Sequence, residues 1–401
     1  MIIEQLPTEF KQAEPVLAQI EAAGFEAYFV GGCVRDTLLG KPLHDIDIAT
    51  SAYPSEIKAI FSRTVDTGIE HGTVMILDHG QGYETTTFRT ESGYQDFRRP
   101  DEVTFVRSLE EDLKRRDFTI NALALKRTGE VVDLFDGLAD LQAGLIRAVG
   151  NPDERFHEDA LRMMRAVRFA SQLDFEIDPQ TIQGITDNAN LLAKIAVERT
   201  QVELEKLLQG QNPTKGLRVM LATKLNTYTP TLTDQTAVLK KLIGLSDWHL
   251  TTSVSAWATL IFAGDYPNQA IPAVLKEWKL SNEVIKDTRL VVEFLQALQA
   301  QDVTPELLFK MNSERLQWAH EVAQLFKLDH DQAALMEDYH QLPIHDAHEL
   351  AVNGGDLIQK LGIKPGPQLG QIIKELQKAV INRQVANQPT ALITYAHELK
   401  G

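Results

Sequence analysis

The chain has 401 residues, which exceeds one ordinary domain, and its 43% hydrophobic content argues against a disordered scaffold. Its single cysteine, Cys33, excludes an intramolecular disulfide framework and a zinc site built from thiolates. The formal charge of −16 is unusual for a partner of nucleic acid, but binding depends on whether basic residues cluster, and arginines do cluster between residues 98 and 168.

Short β-type runs alternate with turns between residues 26 and 148. They lie at residues 27–30, 46–48, 74–77, 83–88, 103–105, 122–125 and 131–133. One helix is predicted before the first run, and another is predicted from the Gly31-Gly32 turn to about Gly40. The pattern predicts a small, mixed β-sheet domain with helices.

Helical periodicity dominates after residue 150. Apolar residues recur at helical spacing in residues 160–173, and residues 197–208 are similar. Gly210 and Pro213 form a typical helix stop and mark a candidate boundary. Further helices are predicted at residues 272–278, 284–298, 305–311 and 371–382. The predicted fold class is therefore α+β, with a mixed β-sheet head followed by an all-helical remainder.

No stretch of the sequence approaches the roughly 20 apolar residues of a membrane helix. The N-terminus lacks the basic start and the apolar run of a secretion signal. A cytoplasmic protein without a membrane partner is the expectation.

The strongest chemical signal is the segment 31–36, GGCVRD, which is followed by Asp45 and Asp47. Two glycines directly after a strand allow the backbone to approach a ligand closely, and Arg35 adds a cation at the same place. Such a corner suits a triphosphate, although it is not a Walker loop.

Asp45 and Asp47 are two residues apart, so on a strand both carboxylates would lie on one face. Paired carboxylates suit Mg²⁺, with phosphate oxygens and water completing the coordination shell. An isolated Asp-x-Asp is more often a pair of exposed acids, but its position after the Gly-Gly corner favours the metal site. Glu84 is a candidate third ligand, although its interpretation as a solvated strand residue is slightly favoured.

Two further clusters are basic. Residues 115–117, Arg-Arg-Asp, could clamp phosphates through guanidinium groups, or could simply end a helix with basic residues. Asp159 and Arg162 are i,i+3 neighbours on the predicted helix, and Arg165 and Arg168 continue that ridge. The ridge is either a salt-bridged exposed face or an edge that reads a base. In the second case, a carboxylate accepts from the exocyclic amine of cytosine or adenine and a guanidinium donates to the adjacent acceptor.

At these motifs the sequence resembles the bacterial (class II) CCA-adding enzymes of the polymerase β-like nucleotidyltransferase superfamily. Two later segments, 354–357 and 364–367, are similar to the tail of their Bacillus-type branch. The resemblance covers roughly residues 25 to 210, in a fixed order. The segments that carry it are 31–36 with 45–47, 115–122, 133–137, 158–168 and 198–203.

The resemblance implies roles for individual residues. Asp45 and Asp47 would be catalytic and would hold Mg²⁺, and the remaining residues would bind the incoming nucleotide: Gly32, Arg35, Arg116, Asp159, Arg162, Arg165 and Arg168. Asp159 and Arg162 would pair with C or A, and the helix with Glu198, Arg199 and Glu203 would brace them.

The resemblance also implies the domain plan and the reaction. The catalytic head would span residues 1–148, the neck that recognises the nucleobase 149–210, the helical body 211–310, and the tail that binds tRNA 311–401. The implied activity is template-independent addition and repair of the 3′-terminal CCA of tRNA from CTP and ATP, with release of pyrophosphate. Whether the chain forms a homodimer is left open.

Several alternatives share parts of these motifs. A bacterial poly(A) polymerase usually carries a longer basic insertion between the Gly-Gly corner and the Asp pair, and here residues 37–44 are short. Residues 94–100 resemble the flexible loop linked to A addition, which favours a full CCA enzyme over one that adds only CC or only A. The intact Asp pair argues against a catalytically dead RNA-binding module, and no His-Asp arrangement supports a phosphohydrolase.

Overall fold

The structure is a computed structural model that describes residues 1–43, 45–95 and 99–400. It divides into two compact units, Met1–Leu239 and Lys240–Gly401. In the described part of the chain, no helix has both the length and the apolar character needed to cross a membrane.

The first unit contains the strands. They are β1 (Ala27–Val30), β2 (Asp47–Thr50), β3 (Thr64–Gly68), β4 (Thr73–Asp78), β5 (Gln81–Thr87), β6 (Arg89–Gln95), β7 (Arg99–Phe105), β8 (Leu123–Leu125), β9 (Val131–Asp133), β10 (Leu145–Ile146) and β11 (Glu176–Ile177). Seven of them form one sheet in the order β3-β4-β5-β2-β1-β8-β9, in which β2 and β5 are parallel and the other neighbours are antiparallel. The sheet is therefore mixed, as predicted.

The helices of the first unit flank and follow this sheet. They are α1 (Thr8–Ala22), α2 (Gly32–Leu38), α3 (Pro54–Ile60), α4 (Leu109–Lys114), α5 (Gly137–Ala143), α6 (Pro152–Glu158), α7 (Leu161–Leu173), α8 (Pro179–Asn188), α9 (Val197–Leu208) and α10 (Pro213–Ala222). Helix α11 (Thr236–Ile243) spans the division between the units. The predicted helices at residues 160–173 and 197–208 are confirmed as α7 and α9.

The second unit is helical throughout its described residues. Its helices are α12 (Ser253–Ala263), α13 (Ile271–Glu277), α14 (Asn282–Gln299), α15 (Pro305–Lys310), α16 (Ser313–Leu325), α17 (Gln332–His340), α18 (Gly354–Leu361), α19 (Pro367–Ile381) and α20 (Pro389–Lys400). Trp257 and Trp278 are fully buried in this unit, with ring centroids 5.0 Å apart. The α+β fold class is confirmed.

The large sheet separates two apolar cores, because side chains alternate between the faces of a strand. Phe29 on β1 packs with Phe10 and Leu17 of α1 on one face. The next residue, Val30, packs with Leu113 of α4 on the other. Both faces of β1 are thus buried, which fixes the end of the strand from which the Gly-Gly turn departs.

Strand β3 was not predicted from the sequence. Its five residues, TVDTG, are mostly exposed at the edge of the sheet, so they lack the apolar alternation that marks a half-buried strand. Strands β6 and β7 pair as an antiparallel hairpin at the predicted flexible loop, 94–100. Residues 94, 95, 99 and 100 of that segment belong to the two strands. Residues 96–98 of that loop lie outside the described residues.

Candidate active site

The Gly-Gly corner joins β1 to α2. Gly31 has a φ of +75°, a conformation that residues with a side chain rarely adopt. A Cβ atom on Gly31 would lie 3.1 Å from Nη1 of Arg116 and 4.0 Å from Oδ2 of Asp47. Helix α2 begins at Gly32 and carries Arg35. The corner therefore brings the backbone close to a carboxylate and a guanidinium, and only glycine fits there without strain.

Arg35 is held in place by its neighbours. Its Nε and Nη2 atoms each donate to the Asp36 carboxylate over 2.9 Å, and its Nη1 donates to Oδ1 of Asn121 over 2.6 Å. Asn121 in turn donates to Oδ1 of Asp117 over 3.0 Å. The side chain of Arg35 is therefore fixed at the base of the corner, which keeps its orientation independent of a ligand.

Three acidic residues near the start of β2, Asp45, Asp47 and Glu84, line one cavity. Asp47 is the first residue of that strand and is the register partner of Glu84 on the parallel strand β5. Asp45 precedes the strand, so the prediction that both aspartates lie on a strand is wrong for Asp45, because β2 begins two residues after it. Desolvation raises the pKa of Asp47, Arg116 opposes that shift, and the charges of Glu84 and Asp45 add to it.

The donor chemistry at this place suits a hard divalent cation. Asp45 and Asp47 offer carboxylate oxygens, and Mg²⁺ is commonly bound by one or two carboxylates together with waters and phosphate oxygens. Burial is the main cause of the raised pKa of Asp47, and the smaller contribution from the charges of Glu84 and Asp45 is of the kind that a bound cation relieves. Within the described residues, no group of three or more His, Cys, Asp or Glu side chains is placed to share one metal ion. The role of Glu84 as a third ligand therefore stays a prediction.

A cavity of about 510 Å³ opens beside the corner. It lies in the size range typical of small-ligand sites. Its lining is Gly31, Gly32, Arg35, Asp47, Arg115, Arg116, Asp117, Asn121, Asp159, Leu161, Arg162, Arg165, Arg168, Phe169 and Arg199. Seven of these fifteen residues are arginines, so the cavity is strongly basic in a chain that is acidic overall. We call it the arginine cavity.

Asp117 joins the segment after α4 to helix α7. Its Oδ2 accepts from Nε of Arg165 over 2.7 Å, and its Oδ1 accepts from the backbone N–H of Phe118 over 2.8 Å. Burial by itself would raise the pKa of Asp117, but Arg165 and Asn121 hold it well below its usual range. Asp117 is therefore an anion at neutral pH, and it positions Arg165 at the wall of the cavity.

Phe169 organises three of the arginines. The guanidinium carbons of Arg168, Arg35 and Arg165 lie 4.0, 5.0 and 5.4 Å from the centroid of its ring. Each of these distances is within the range of a cation–π contact. Sequence reasoning missed Phe169, although an aromatic residue directly after Arg168 in an arginine-rich helix is a usable signal.

Asp159 lies in the break between α6 and α7, not on a helix as predicted. Its backbone is extended, with φ −141° and ψ 103°, and its Oδ1 accepts from the backbone N–H of Leu161 over 3.0 Å. Aspartate favours such a position because its side chain competes for backbone donors. Arg199 on α9 donates to both carboxylate oxygens, over 3.2 and 2.7 Å. The prediction that this part of α9 braces Asp159 is confirmed in geometry.

Arg162 is fixed by a different set of partners. Its Nη1 donates to Oε2 of Glu158 over 2.7 Å, and its Nη2 donates to the backbone oxygen of Arg115 over 2.7 Å. Glu158 also pairs with Arg155 over 2.5 Å. Arg162 is therefore anchored on both sides while it lines the same cavity as Asp159.

Arg168 forms a buried ion pair with Glu203 of α9. The two groups are 2.6 Å apart, and their side chains are 9% and 8% exposed. Burial lowers the pKa of Arg168 to about 10, which outweighs the opposing effect of Glu203. The guanidinium remains charged at neutral pH, and its counter-ion comes from the bracing helix.

The structure brings most of the predicted site residues together. The arginine cavity is lined by Gly32, Arg35, Asp47, Arg116, Asp159, Arg162, Arg165 and Arg168. Asp45 and Glu84 line a second cavity, which shares Asp47 with the first. Of the other lining residues, Gly31, Arg115, Asp117 and Arg199 belong to motifs that the sequence analysis already discussed. The remaining three, Asn121, Leu161 and Phe169, were given no individual role from the sequence.

Three family profiles match successive parts of the chain. The poly(A) polymerase head domain matches residues 27–147, and a region described as a probable RNA- and SrmB-binding site of polymerase A matches residues 174–235. The profile of tRNA nucleotidyltransferase domain 2 matches residues 248–396.

Relatives match over almost the whole chain. A CCA-adding enzyme of Lactiplantibacillus plantarum is 60% identical over 398 residues, which cover 99% of this chain and 98% of that protein. The chain belongs to the family of CCA-adding enzymes. A second member, from Limosilactobacillus reuteri, is 59% identical over 399 residues, covering 100% of this chain and 99% of that protein. The predicted family is confirmed.

Solved structures of CCA-adding enzymes share the fold. The crystal structure of the Bacillus stearothermophilus CCA-adding enzyme in complex with CTP is similar with a TM-score of 0.89 and 40% identity, covering 98% of each chain. The Thermotoga maritima CCA-adding enzyme complexed with tRNA is 20% identical with a TM-score of 0.61, covers 99% of this chain and 97% of that one, and supports the fold alone.

Membership settles the enzyme class. CCA-adding enzymes are tRNA nucleotidyltransferases, and this chain is one of them, with a head that matches the poly(A) polymerase head profile. The prediction of CCA addition over poly(A) synthesis is confirmed at the level of the family, because relatives that match along nearly their whole length are CCA-adding enzymes.

Proposed function

We propose that this CCA-adding enzyme builds and repairs the 3′ CCA of tRNA through the arginine cavity, with Mg²⁺ held by Asp45 and Asp47. The observation that carries the proposal is the position of Asp47. Its carboxylate lies beside the Gly-Gly corner and lines the same cavity as seven arginines. A carboxylate for a metal and cations for a triphosphate therefore adjoin each other, as nucleotidyl transfer requires.

Asp45 and Asp47 are the residues that would hold the metal. Bound there, Mg²⁺ would neutralise the phosphate oxygens and lower the pKa of the attacking 3′-hydroxyl. The chain's own part is to position these oxygens. Gly31 leaves room for the triphosphate beside Asp47, and Arg116 faces the same space, since its Nη1 lies 3.1 Å from the point that a Cβ on Gly31 would occupy.

The triphosphate has a ready-made set of cationic partners. Arg35, Arg165 and Arg168 are arranged around the ring of Phe169, and each is already fixed by a carboxylate: Asp36, Asp117 and Glu203. Because these guanidinium groups are held before the ligand arrives, little side-chain entropy is lost on binding. Release of pyrophosphate is favoured by the same charges, which stabilise the leaving group.

Asp159 and Arg162 are proposed to choose the base. Arg199 orients the Asp159 carboxylate, and Glu158 anchors Arg162, so both groups are fixed before a base arrives. A carboxylate accepts from the exocyclic amine of cytosine or adenine, and a guanidinium donates to the ring acceptor beside it. Uracil and guanine would face the carboxylate with a carbonyl group, which leaves two acceptors opposed.

The helical regions are assigned to RNA. The proposed plan is a head at 1–148, a neck at 149–210, a body at 211–310 and a tail at 311–401, with the tail engaging tRNA. Two matches support RNA as the partner of the helical regions: a profile for a probable RNA-binding site covers residues 174–235 of the proposed neck and body, and one for the second domain of tRNA nucleotidyltransferases covers residues 248–396 of the proposed body and tail.

One assay tests the proposed activity. The protein is incubated with Mg²⁺, CTP or ATP, and tRNA transcripts that end before CCA, after C and after CC. Addition of the missing nucleotides and a stop at CCA is the expected result. Long A-only tails would support a poly(A) polymerase, and a halt after CC would support a partial enzyme.

A selectivity assay tests the assignment of the base-choosing pair. Asp159→Ala should narrow the preference for CTP and ATP over UTP and GTP while some catalysis remains. Unchanged discrimination in that variant would remove Asp159 from the role.

A further inference from the structure

Asp112 is a buried carboxylate in contact with two arginines of the arginine cavity. It lies on α4 between Leu109 and Leu113, two apolar residues that pack into one core of the large sheet. Asp112 is 1% exposed, whereas the neighbouring Glu110 and Glu111 are exposed. Acids in the first turn of a helix commonly interact with the helix dipole, and that interaction needs no burial. The burial of Asp112 therefore requires another explanation.

The two carboxylate oxygens of Asp112 serve different arginines. Oδ1 accepts from Nε and Nη2 of Arg115 over 3.0 and 2.8 Å, and from the backbone N–H of Arg89 over 3.4 Å. Oδ2 accepts from Nη2 of Arg116 over 3.3 Å. Two neighbouring guanidinium groups therefore share one counter-ion, and each depends on a different oxygen of it.

Arg116 is held less tightly than the other arginines that are proposed to bind the triphosphate. Those three have ion pairs of 2.8, 2.5 and 2.6 Å, at Arg35, Arg165 and Arg168 respectively. Arg116 has the 3.3 Å contact with Asp112 and a 3.4 Å hydrogen bond to the backbone oxygen of Asn121. Its Nε is buried and has no hydrogen-bond partner among the described residues. The direction of the Arg116 guanidinium therefore depends strongly on Asp112.

A second carboxylate competes for the same guanidinium. Nη1 of Arg116 and Oδ2 of Asp47 lie 3.1 and 4.0 Å from one point, the position that a Cβ atom on Gly31 would occupy. In the part of the chain that the structure describes, Arg116 forms an ion pair with Asp112 and none with Asp47. Opposite charges at such short range attract each other. The contact with Asp112 therefore opposes the pull of Asp47 on Arg116.

We propose that Asp112 is a positioning residue that keeps the Arg116 guanidinium from occupying the metal site at Asp47. The inference rests on the proposed function, in which Asp45 and Asp47 hold Mg²⁺, and it adds the residue that keeps this site open. Without the Asp112 carboxylate, Arg116 pairs with Asp47 and competes with the divalent cation for the same oxygens. With it, one end of the guanidinium is tied to α4 while the other faces the Gly-Gly corner.

Asp112→Asn separates the two arginines chemically. Asparagine has the shape of aspartate but offers one accepting oxygen, and its NH₂ group only donates. The oxygen should stay with Arg115, which donates two hydrogen bonds to a single oxygen of Asp112. The NH₂ group then faces Arg116, which has donors and no acceptor. The substitution should therefore release Arg116 while the packing of α4 is kept.

Equilibrium binding of Mn²⁺, measured by electron paramagnetic resonance without nucleotide or tRNA, tests the proposal. Mn²⁺ replaces Mg²⁺ here because both accept carboxylate ligands. Asp112→Asn should raise the Kd for Mn²⁺ about tenfold, since the cation has to displace a charged hydrogen-bonding group. Glu110→Gln is the matched control, because it removes a negative charge from an exposed position of the same helix. Its Kd should stay within about twofold of the parent value.

A double variant separates positioning from general damage to the site. Arg116→Met in the Asp112→Asn background removes the competing guanidinium, so the Kd for Mn²⁺ should return to within about threefold of the parent value while nucleotide addition stays impaired. Weak binding that persists in the double variant would overturn the proposal, and so would a parent-like Kd in Asp112→Asn. Parent binding of Mn²⁺ that is insensitive to Asp47→Asn would instead contradict the metal assignment of the proposed function, so the two failures are distinguishable.

Discussion

Arg199 donates two hydrogen bonds to the carboxylate of Asp159. Its Nη1 donates to Oδ1 over 3.2 Å, and its Nη2 donates to Oδ2 over 2.7 Å. Such a two-point contact fixes the plane of the carboxylate, which a single contact would leave free to rotate. Arg199 comes from α9 and Asp159 from the break before α7, so the packing of these two helices determines how the proposed base-reading group is presented.

Arg199→Lys should weaken the contact with the Asp159 carboxylate while keeping the positive charge. Lysine offers a compact ammonium group in place of the planar fork, so one of the two contacts is lost. We expect kcat/KM for CTP to fall about 10- to 100-fold, and the preference for CTP over UTP to narrow. Arg315→Lys is the control, because Arg315 also donates two hydrogen bonds to a carboxylate, both to Oδ1 of Asp287, in the second unit. If the Arg199 variant still preferred CTP over UTP as strongly as the parent protein does, the proposal that Arg199 braces Asp159 would be contradicted.

The metal assignment predicts a different outcome for Asp45→Asn and Asp47→Asn. Each should reduce nucleotide addition by roughly a thousandfold or more, since metal binding supplies several kcal/mol of charge stabilisation. Binding of tRNA, followed by fluorescence anisotropy, should be retained. EDTA should abolish nucleotide addition by the parent protein, and added Mg²⁺ should restore the activity. Asp66→Asn is the control, because Asp66 pairs with Lys58 on the surface. Parent-level addition by either variant would refute the assignment.

The sequence was informative wherever one residue type has few physical uses. Two glycines after an apolar run predicted the turn at Gly31, and the structure shows the positive φ and the close approach of Arg116 that require it. The period of apolar residues predicted α7 and α9 to within a residue. These features are local, so a short window of sequence contains them.

The partners of the charged residues could not be predicted in the same way. Arg35 bonds to Asn121, which is 86 positions away, and Arg165 bonds to Asp117, which is 48 positions away. The partnership of Asp47 with Glu84 depends on a parallel strand pairing that only the complete sheet defines. Asp159 was placed on a helix because periodicity does not reveal a two-residue break.

The buried pair of Arg168 and Glu203 yields a prediction about stability. Glu203→Ala would leave a charged guanidinium without its counter-ion, and such a loss typically costs about 3–5 kcal/mol. We expect the first unit to unfold at lower urea, as measured by circular dichroism. The four tryptophans, at positions 248, 257, 278 and 318, all lie in the second unit, so their fluorescence transition should shift much less.

The double variant Arg168→Met/Glu203→Leu provides the control for that experiment. Removing both charges leaves no unpaired ion, so stability should largely return. Binding of CTP should still be weak, because Arg168 is proposed to contact the nucleotide. A stable Glu203→Ala variant would show that the pair adds little to folding.

His320 and His330 form a hydrogen-bonded pair in the second unit, with 2.8 Å between Nδ1 of His320 and Nε2 of His330. Nδ1 of His330 lies 2.8 Å from the backbone oxygen of Leu328, which can only accept. Neutral His330 therefore accepts at Nε2 from the Nδ1–H of His320.

Burial lowers the pKa of His320 below its ordinary value of 6.5. The unfolded chain then binds more protons than the folded chain as the pH falls below about 6.5, so stability is lost in that range and is regained as the pH rises. The midpoint of urea unfolding, followed by tryptophan fluorescence, should be lower at pH 5 than at pH 7. His320→Gln should flatten this dependence, whereas His79→Gln, at an exposed histidine of the first unit, should leave it unchanged. A pH dependence that survives in the His320 variant would assign it to other groups.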